Sequence, residues 1–225
     1  MVSKGYTRSR STLKGSHKNY FTLQNPMKDK WNERYSAPDY VYGTEPNEFF
    51  KEQLSKLPPG RLLLPGEGEG RNAVYAATRG WKVDAYDFSE QAVRKAQNLA
   101  QQKNVNIHYT VSSYEDYKYP LQYYDAAGLI YTHMPPDIRS PVHKKIIRSL
   151  KPGGILILEA FHKEQINYSS GGPKDIDMLY DEKELTSDFE GLQVLLLEKK
   201  KIHLQEGTFH SGDAVVLRFV GKIVS

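Results

Sequence analysis

The chain of 225 residues contains no cysteine. That absence excludes disulfides, thiolate metal sites and a cysteine nucleophile, and it fits a reducing compartment such as the cytoplasm. No apolar run reaches membrane-spanning length, and no signal-peptide core is present. The seven histidines are scattered without ligand spacing, so no metal is expected. Acids are missing from residues 1–26, which carry Lys4, Arg8, Arg10, Lys14 and Lys18. The formal charge of +4 comes from 31 basic and 27 acidic residues. Setting those five bases aside leaves the body almost neutral, which argues against a broad nucleic-acid surface. Residues 1–26 read as a basic, flexible leader, and 27–225 as one domain with a full core.

The organising stretch is Arg61 to Ser89, RLLLPGEGEGRNAVYAATRGWKVDAYDFS. Leu62-Leu63-Leu64 reads as a buried strand, and Gly66, Gly68 and Gly70 as a tight loop. Asn72 to Arg79 reads as a helix stopped by Gly80, and Trp81 to Tyr86 as a second strand ending on Asp87. Strand, glycine turn, helix, strand and acid make the first half of a nucleotide-binding α/β unit. The glycines permit a sharp turn and close approach to a ligand. The helix start offers free N–H groups, and the acid can accept ribose hydroxyls.

Further along, Ser89 reads as the N-cap of a helix over 90–102, followed by strands over 106–111 and 124–131. A helix over 140–150, a turn at Lys151-Pro152-Gly153-Gly154 and a strand over 155–161 follow. Runs over 192–204 and 214–222 suit a terminal hairpin. Before the core, a helix is expected over 46–57. Residues 27–45 carry Trp31, Tyr35, Tyr40 and Tyr42 outside any regular element, as a flap on the core or a lid over a ligand. Alternating strands and helices imply a parallel sheet whose ligands lie at the carboxyl ends of the strands. The expected class is α/β: a three-layer Rossmann-like sandwich with a mostly parallel seven-stranded sheet and a C-terminal antiparallel hairpin.

The spacing G-x-G-x-G resembles the first motif of the class I S-adenosylmethionine-dependent methyltransferases. WNERY, YVYGTEPNEFF, GEGEGRNAVYAA, YTHMPPDIRS and LKPGGILILEAF resemble bacterial methyltransferases near the tellurite-resistance and thiopurine groups. The resemblance implies S-adenosylmethionine as cofactor and a small-molecule acceptor, attacked through a soft sulfur or chalcogen or another nucleophile. The implied cofactor contacts are Gly66, Glu67, Gly68, Gly70, Arg71 and Asn72 at the loop, and Asp87, Phe88 and Ser89 at the second strand. Ser113, Tyr114 and Tyr131 join them from later loops, and Arg34 and Tyr42 from the flap. The chain departs from the pattern at Leu64-Pro65, where the family has an acid, and at Glu67, which either replaces that acid or is a solvated loop residue.

On the acceptor side, His133 is a candidate proton acceptor and Arg139 a candidate anion holder; each has a bland alternative, a loop hydrogen bond and a surface ion pair. Met134-Pro135-Pro136-Asp137 lacks the polar and aromatic residues of nucleic-acid amino-methyltransferases, so no nucleic-acid partner is expected. Two other readings stay open: a non-catalytic S-adenosylmethionine-binding module, and a nicotinamide-dependent oxidoreductase, which Arg71 at the third glycine position disfavours. Oligomeric state is not legible.

Overall fold

The computed structural model describes Met1 and residues 26–224. The basic leader expected over 1–26 therefore falls almost wholly outside the described residues. Helix α1 (Pro26–Tyr35) and helix α2 (Glu48–Leu54) precede the sheet. Then come β1 (Arg61–Pro65), α3 (Arg71–Thr78), β2 (Lys82–Asp87), α4 (Glu90–Gln102) and β3 (His108–Val111). The second half holds β4 (Tyr124–Ile130), α5 (Pro136–Ser149), β5 (Leu150–Phe161), α6 (Glu182–Asp188), β6 (Leu192–Gln205) and β7 (Ser211–Ile223).

The sheet has seven strands in the order β3-β2-β1-β4-β5-β7-β6. Strands β1 to β5 pair in parallel, and β7 pairs antiparallel with both β5 and β6. The chain order reverses between β1 and β4, which opens a crevice at their carboxyl ends. Strand β1 shows why three layers form. Leu62 and Leu64 face a core with Phe50, Ala73, Trp81 and Ala96, while Leu63 faces the opposite core with Tyr124, Ile146 and Phe189. A strand buried on both faces reads as a continuous apolar run, as this one does. No helix among the described residues is long and apolar enough to cross a membrane.

Several boundaries differ from the expectation. The aromatic segment begins as a helix, α1, so Trp31 and Tyr35 stack one turn apart at 5.3 Å instead of lying on irregular chain. Pro46 stands outside α2, because Asn47 takes the cap and accepts a hydrogen bond from Phe50 N at 2.9 Å. Helix α5 starts four residues early, with Pro136 in its first turn, where a missing N–H costs nothing. Lys151-Pro152-Gly153-Gly154 lies within β5, whose pairing with β4 shifts register between Tyr124 and Ala126. Helix α6 was not foreseen; it is short and rests on a capping box of Asp181 and Glu184.

Candidate active site

The loop after β1 turns through three left-handed glycines, Gly66 (φ +58°), Gly68 (φ +67°) and Gly70 (φ +87°). Gly70 cannot cap α3 with a side chain, and Glu67 does so in its place. Its carboxylate accepts from Asn72 N at 2.8 Å, Ala73 N at 2.7 Å and Asn72 Nδ2 at 3.2 Å. Burial raises its pKa to about 7, although these hydrogen bonds oppose the rise. Glu67 thus has a capping duty that its place in the motif did not reveal.

Asp87 ends β2 and is buried. Its carboxylate accepts from Gly68 N at 3.1 Å and from Ser89 N at 2.8 Å, so it ties the glycine loop to the start of α4. Burial lifts its pKa to about 6. Ser89 caps α4 and donates its hydroxyl to Asn32 Oδ1 of α1 at 2.6 Å. Phe88 is half-buried beside it. Around the loop stand three tyrosines. Tyr109 donates to Gly68 O at 2.7 Å, and the hydroxyls of Tyr35 and Tyr114 occupy the space that side chains at Gly68 and Gly66 would fill. Ser113 is bonded within its own loop, donating to Asp116 Oδ2 at 2.8 Å.

A second set of buried charges joins the flap to the far end of the sheet. Glu69 accepts from Val41 N at 2.8 Å and pairs with Lys95 at 2.7 Å. Arg71 pairs with Glu206 at 2.9 Å and donates to Tyr42 O at 3.2 Å. Asn72 Oδ1 accepts from Asn47 N, and Asn47 Nδ2 bridges Glu159 at 2.6 Å and Glu206 at 3.1 Å. Glu159 also receives the Tyr131 hydroxyl at 3.0 Å and Arg218 Nε at 2.6 Å. Tyr131, just past β4, holds φ +52°, an unusual conformation for an aromatic residue and one often kept for function. Arg34 donates to the Tyr42 hydroxyl at 2.8 Å and stacks on Trp31 and Phe209. Arg34, Tyr42, Arg71, Asn72 and Tyr131 therefore share one hydrogen-bonded and ring-stacked assembly, while Asp87 and the glycine loop form a second. Glu69, Glu159, Glu206 and His210 belong to the assembly and were missed by sequence reading. Only the two glycines of the Gln205–Asp213 connection hinted that its turn mattered.

His133 and Arg139 are placed differently from the expectation. His133 Nδ1 donates to Met178 O at 2.9 Å, and Nε2 accepts from Phe161 N at 3.3 Å. Burial lowers its pKa to about 4. Both ring nitrogens are used, so His133 is left with no lone pair for an acceptor's proton. Arg139 is buried over the Tyr180 ring and faces Asp188 at 3.3 Å and Glu184 at 3.6 Å. Its charge is met by the protein's own acids, which removes the reason to assign it an anionic substrate. Neither residue supports the catalytic role read for it.

The fold and the loop define a class. An order switch at β1/β4, a turn built on three left-handed glycines, and a buried acid with lone pairs to spare beyond its amide contacts suit S-adenosylmethionine. Residues 63–154 match the family model of a methyltransferase domain. Among solved structures, TehB from Haemophilus influenzae has a TM-score of 0.65 at 14% identity, covering 87% of this chain and 66% of its own. The 1,6-didemethyltoxoflavin-N1-methyltransferase of Burkholderia thailandensis, with bound 1,6-didemethyltoxoflavin and S-adenosylhomocysteine, scores 0.64 at 16% identity over 88% of both chains. A protein solved in work on conversion of a disulfide bond into a thioacetal group during echinomycin biosynthesis scores 0.70 at 15% identity, over 88% of this chain and 92% of its own. At such identities the structural likeness speaks to fold. No curated protein matches significantly by sequence. The chain therefore carries a methyltransferase domain over residues 63–154, set in a Rossmann-like α/β fold.

With the ribose at Asp87, affinity would depend on pH. Ribose hydroxyls would donate to the carboxylate, so a proton on Asp87 would compete with them. Affinity for S-adenosylmethionine is expected to be level above the Asp87 pKa of about 6 and to fall up to about tenfold per pH unit below it. Calorimetry across this range tests it, with Asp87→Asn weaker throughout and without the bend. A wild-type affinity that ignores pH removes Asp87 from the ribose site.

Proposed function

We propose that this protein moves the methyl group of S-adenosylmethionine to a small-molecule acceptor held between the flap, the end of β4 and the β6–β7 turn. The observation that carries this reading is the left-handed glycine loop after β1 with the buried Asp87 carboxylate bonded to Gly68 N, close to the rings of Tyr35, Tyr109 and Tyr114. Gly66, Gly68 and Asp87 would hold the cofactor's amino-acid and ribose parts, with Phe88, Ser113 and Tyr114 on the adenine side. The cofactor supplies a methyl group on a sulfonium whose leaving group departs neutral. The protein's task is then alignment and exclusion of water, and alignment contributes on the order of 7–11 kcal/mol. The segment 31–43 acts as the lid: its Tyr35 stands at Gly68 and its Asn32 at Ser89. The lack of cysteine supports a cytoplasmic setting.

A non-catalytic binding module is the second reading, favoured by the structural bonds that occupy His133 and Arg139. Thermal unfolding with S-adenosylmethionine and S-adenosylhomocysteine tests the first half of the proposal. At about a hundred times the dissociation constant each is expected to stabilise the protein by about 2.7 kcal/mol. No shift with either ligand would overturn cofactor binding. Release of S-adenosylhomocysteine with an acceptor panel separates the enzyme from the module.

A further inference from the structure

The β6–β7 turn delivers one histidine to the carboxyl edge of the sheet. His210 is buried, with ring centroids of Tyr42 and Tyr131 each 4.5 Å away and Phe161 at 5.3 Å. Its Nδ1 faces Glu206 Oε2 at 3.3 Å, and Glu206 is held in turn by Arg71 at the first position of α3. Among the described residues Nε2 makes no hydrogen bond, whereas both nitrogens of His133 are engaged. The sheet order places Asp87 on β2, the glycine loop on β1 and Tyr131 at the end of β4. A cofactor with its ribose at Asp87 and its amino-acid end on the loop would thus present its methyl group toward the β4 and β5 side, where His210 stands.

We propose that His210 is the catalytic base of this enzyme, and that the acceptor is a flat molecule bearing a proton on its nucleophile, such as a phenolic hydroxyl or a ring N–H. This rests on the methyl-transfer reading above and deepens it. In the step, the acceptor's oxygen or nitrogen forms the new bond to the methyl carbon. The carbon–sulfur bond breaks and its electron pair leaves with sulfur. The acceptor's proton passes to Nε2, and the imidazolium is stabilised by Glu206 across Nδ1–H. The rings of Tyr42, Tyr131 and Phe161 around His210 suit a flat body.

The charged and titratable groups facing the ring are Glu206 from its own turn, Arg71 from α3, Arg34 from α1, Tyr42 from the flap, and Tyr131 and His133 after β4. Burial, helped by the two arginines, lowers the His210 pKa, and Glu206 opposes this. The ring is neutral at pH 7 and available as a base, so the acid limb of the rate profile is expected below the usual histidine range.

The test uses the full chain and 4-nitrophenol, which yellows on ionisation. In the presence of S-adenosylhomocysteine, the wild type is expected to bind the phenol and lower its apparent pKa, and His210→Gln to bind it without that shift. With S-adenosylmethionine, His210→Gln is expected to lose about a hundredfold in kcat toward phenols and ring N–H acceptors. It should lose far less toward an aromatic thiol already ionised at neutral pH, and cofactor affinity should stay within a few-fold. Glu206→Gln provides a second variant if the first folds poorly: a smaller loss in kcat and an acid limb moved to lower pH. Equal losses for ionised and protonated acceptors, no ionisation of bound phenol, or turnover of none of these acceptors by a wild type that binds the cofactor would each overturn the assignment. A wild type that binds neither S-adenosylmethionine nor S-adenosylhomocysteine strikes the methyl-transfer reading itself, and the base falls with it.

Discussion

Gly68→Val is expected to abolish S-adenosylmethionine binding while leaving a folded protein. Gly68 sits at φ +67°, where a β-branched residue is strained, at a cost of about 1–3 kcal/mol. Its new Cβ would lie 2.9 Å from the Tyr35 hydroxyl, the tip of a side chain on α1. That tip can yield, so the strain stays local. The added methyls, however, would fill the loop face that the proposed cofactor site uses. Gly70→Val is the contrast that gives the result its meaning. At Gly70 a Cβ would lie 2.5 Å from Ala96 Cβ and 2.9 Å from Ala96 Cα, the backbone of α4. A helix packed on the sheet cannot step aside, and this variant is expected to lose the fold. Circular dichroism and calorimetry on both variants check the pair. Retained binding in a folded Gly68→Val protein would move the cofactor off this loop.

Deleting residues 1–43 is expected to cost cofactor affinity at least tenfold and to leave the sheet intact. All seven strands and helices α2 to α6 follow residue 43. The buried apolar residues of the flap, Tyr35 and Val41, pack with Ala92 in a small cluster apart from the two main cores. Its polar ties are stronger. Val41 N and Lys95 meet at Glu69, and Arg71 donates to Tyr42 O. Deletion opens Glu69 and Lys95 to water together, so no charge is left buried alone, the condition that makes such losses severe. What goes with the segment is Tyr35 at Gly68 and Asn32 at Ser89, the groups that meet the glycine loop and the start of α4. Hydrogen exchange over 31–43 gives the milder form of the experiment: protection is expected to rise with S-adenosylmethionine. A truncated chain that does not fold would make the segment core and not lid.

The two histidines show where sequence reading stopped. In the sequence His133 stands out because it follows the fourth strand, a place where substrate loops lie. Only the fold showed that Met178 O and Phe161 N take both its nitrogens. His210 stood in a hairpin connection, with no spacing to mark it. Its surroundings come from Tyr42, Tyr131 and Phe161, and its partner Glu206 is tied to Arg71 135 positions away. Glu159 has the same history: it is a lone acid in an apolar strand until Asn47, 112 positions earlier, and Arg218 reach it. A charged residue in a sequence carries no sign of its partner unless the partner is within a few turns.

The sequence by itself determined the strand, glycine turn, helix, strand and acid of 61–89, the two-sided sheet and the terminal hairpin. These follow from local rules: which residues permit positive φ, which periodicity buries a face, and which residue caps a helix. The tertiary structure alone decided which groups each acid beside the loop bonds to. Glu67 and Asp87 both end beside the loop, yet Glu67 is turned into α3 and Asp87 toward Gly68 and Ser89. It also decided that the β6–β7 turn reaches back to the first helix of the nucleotide unit through Arg71 and Glu206. The physical reason is that hydrogen bonds and ion pairs form by distance in space, and that distance is set only when the sheet closes its seven strands.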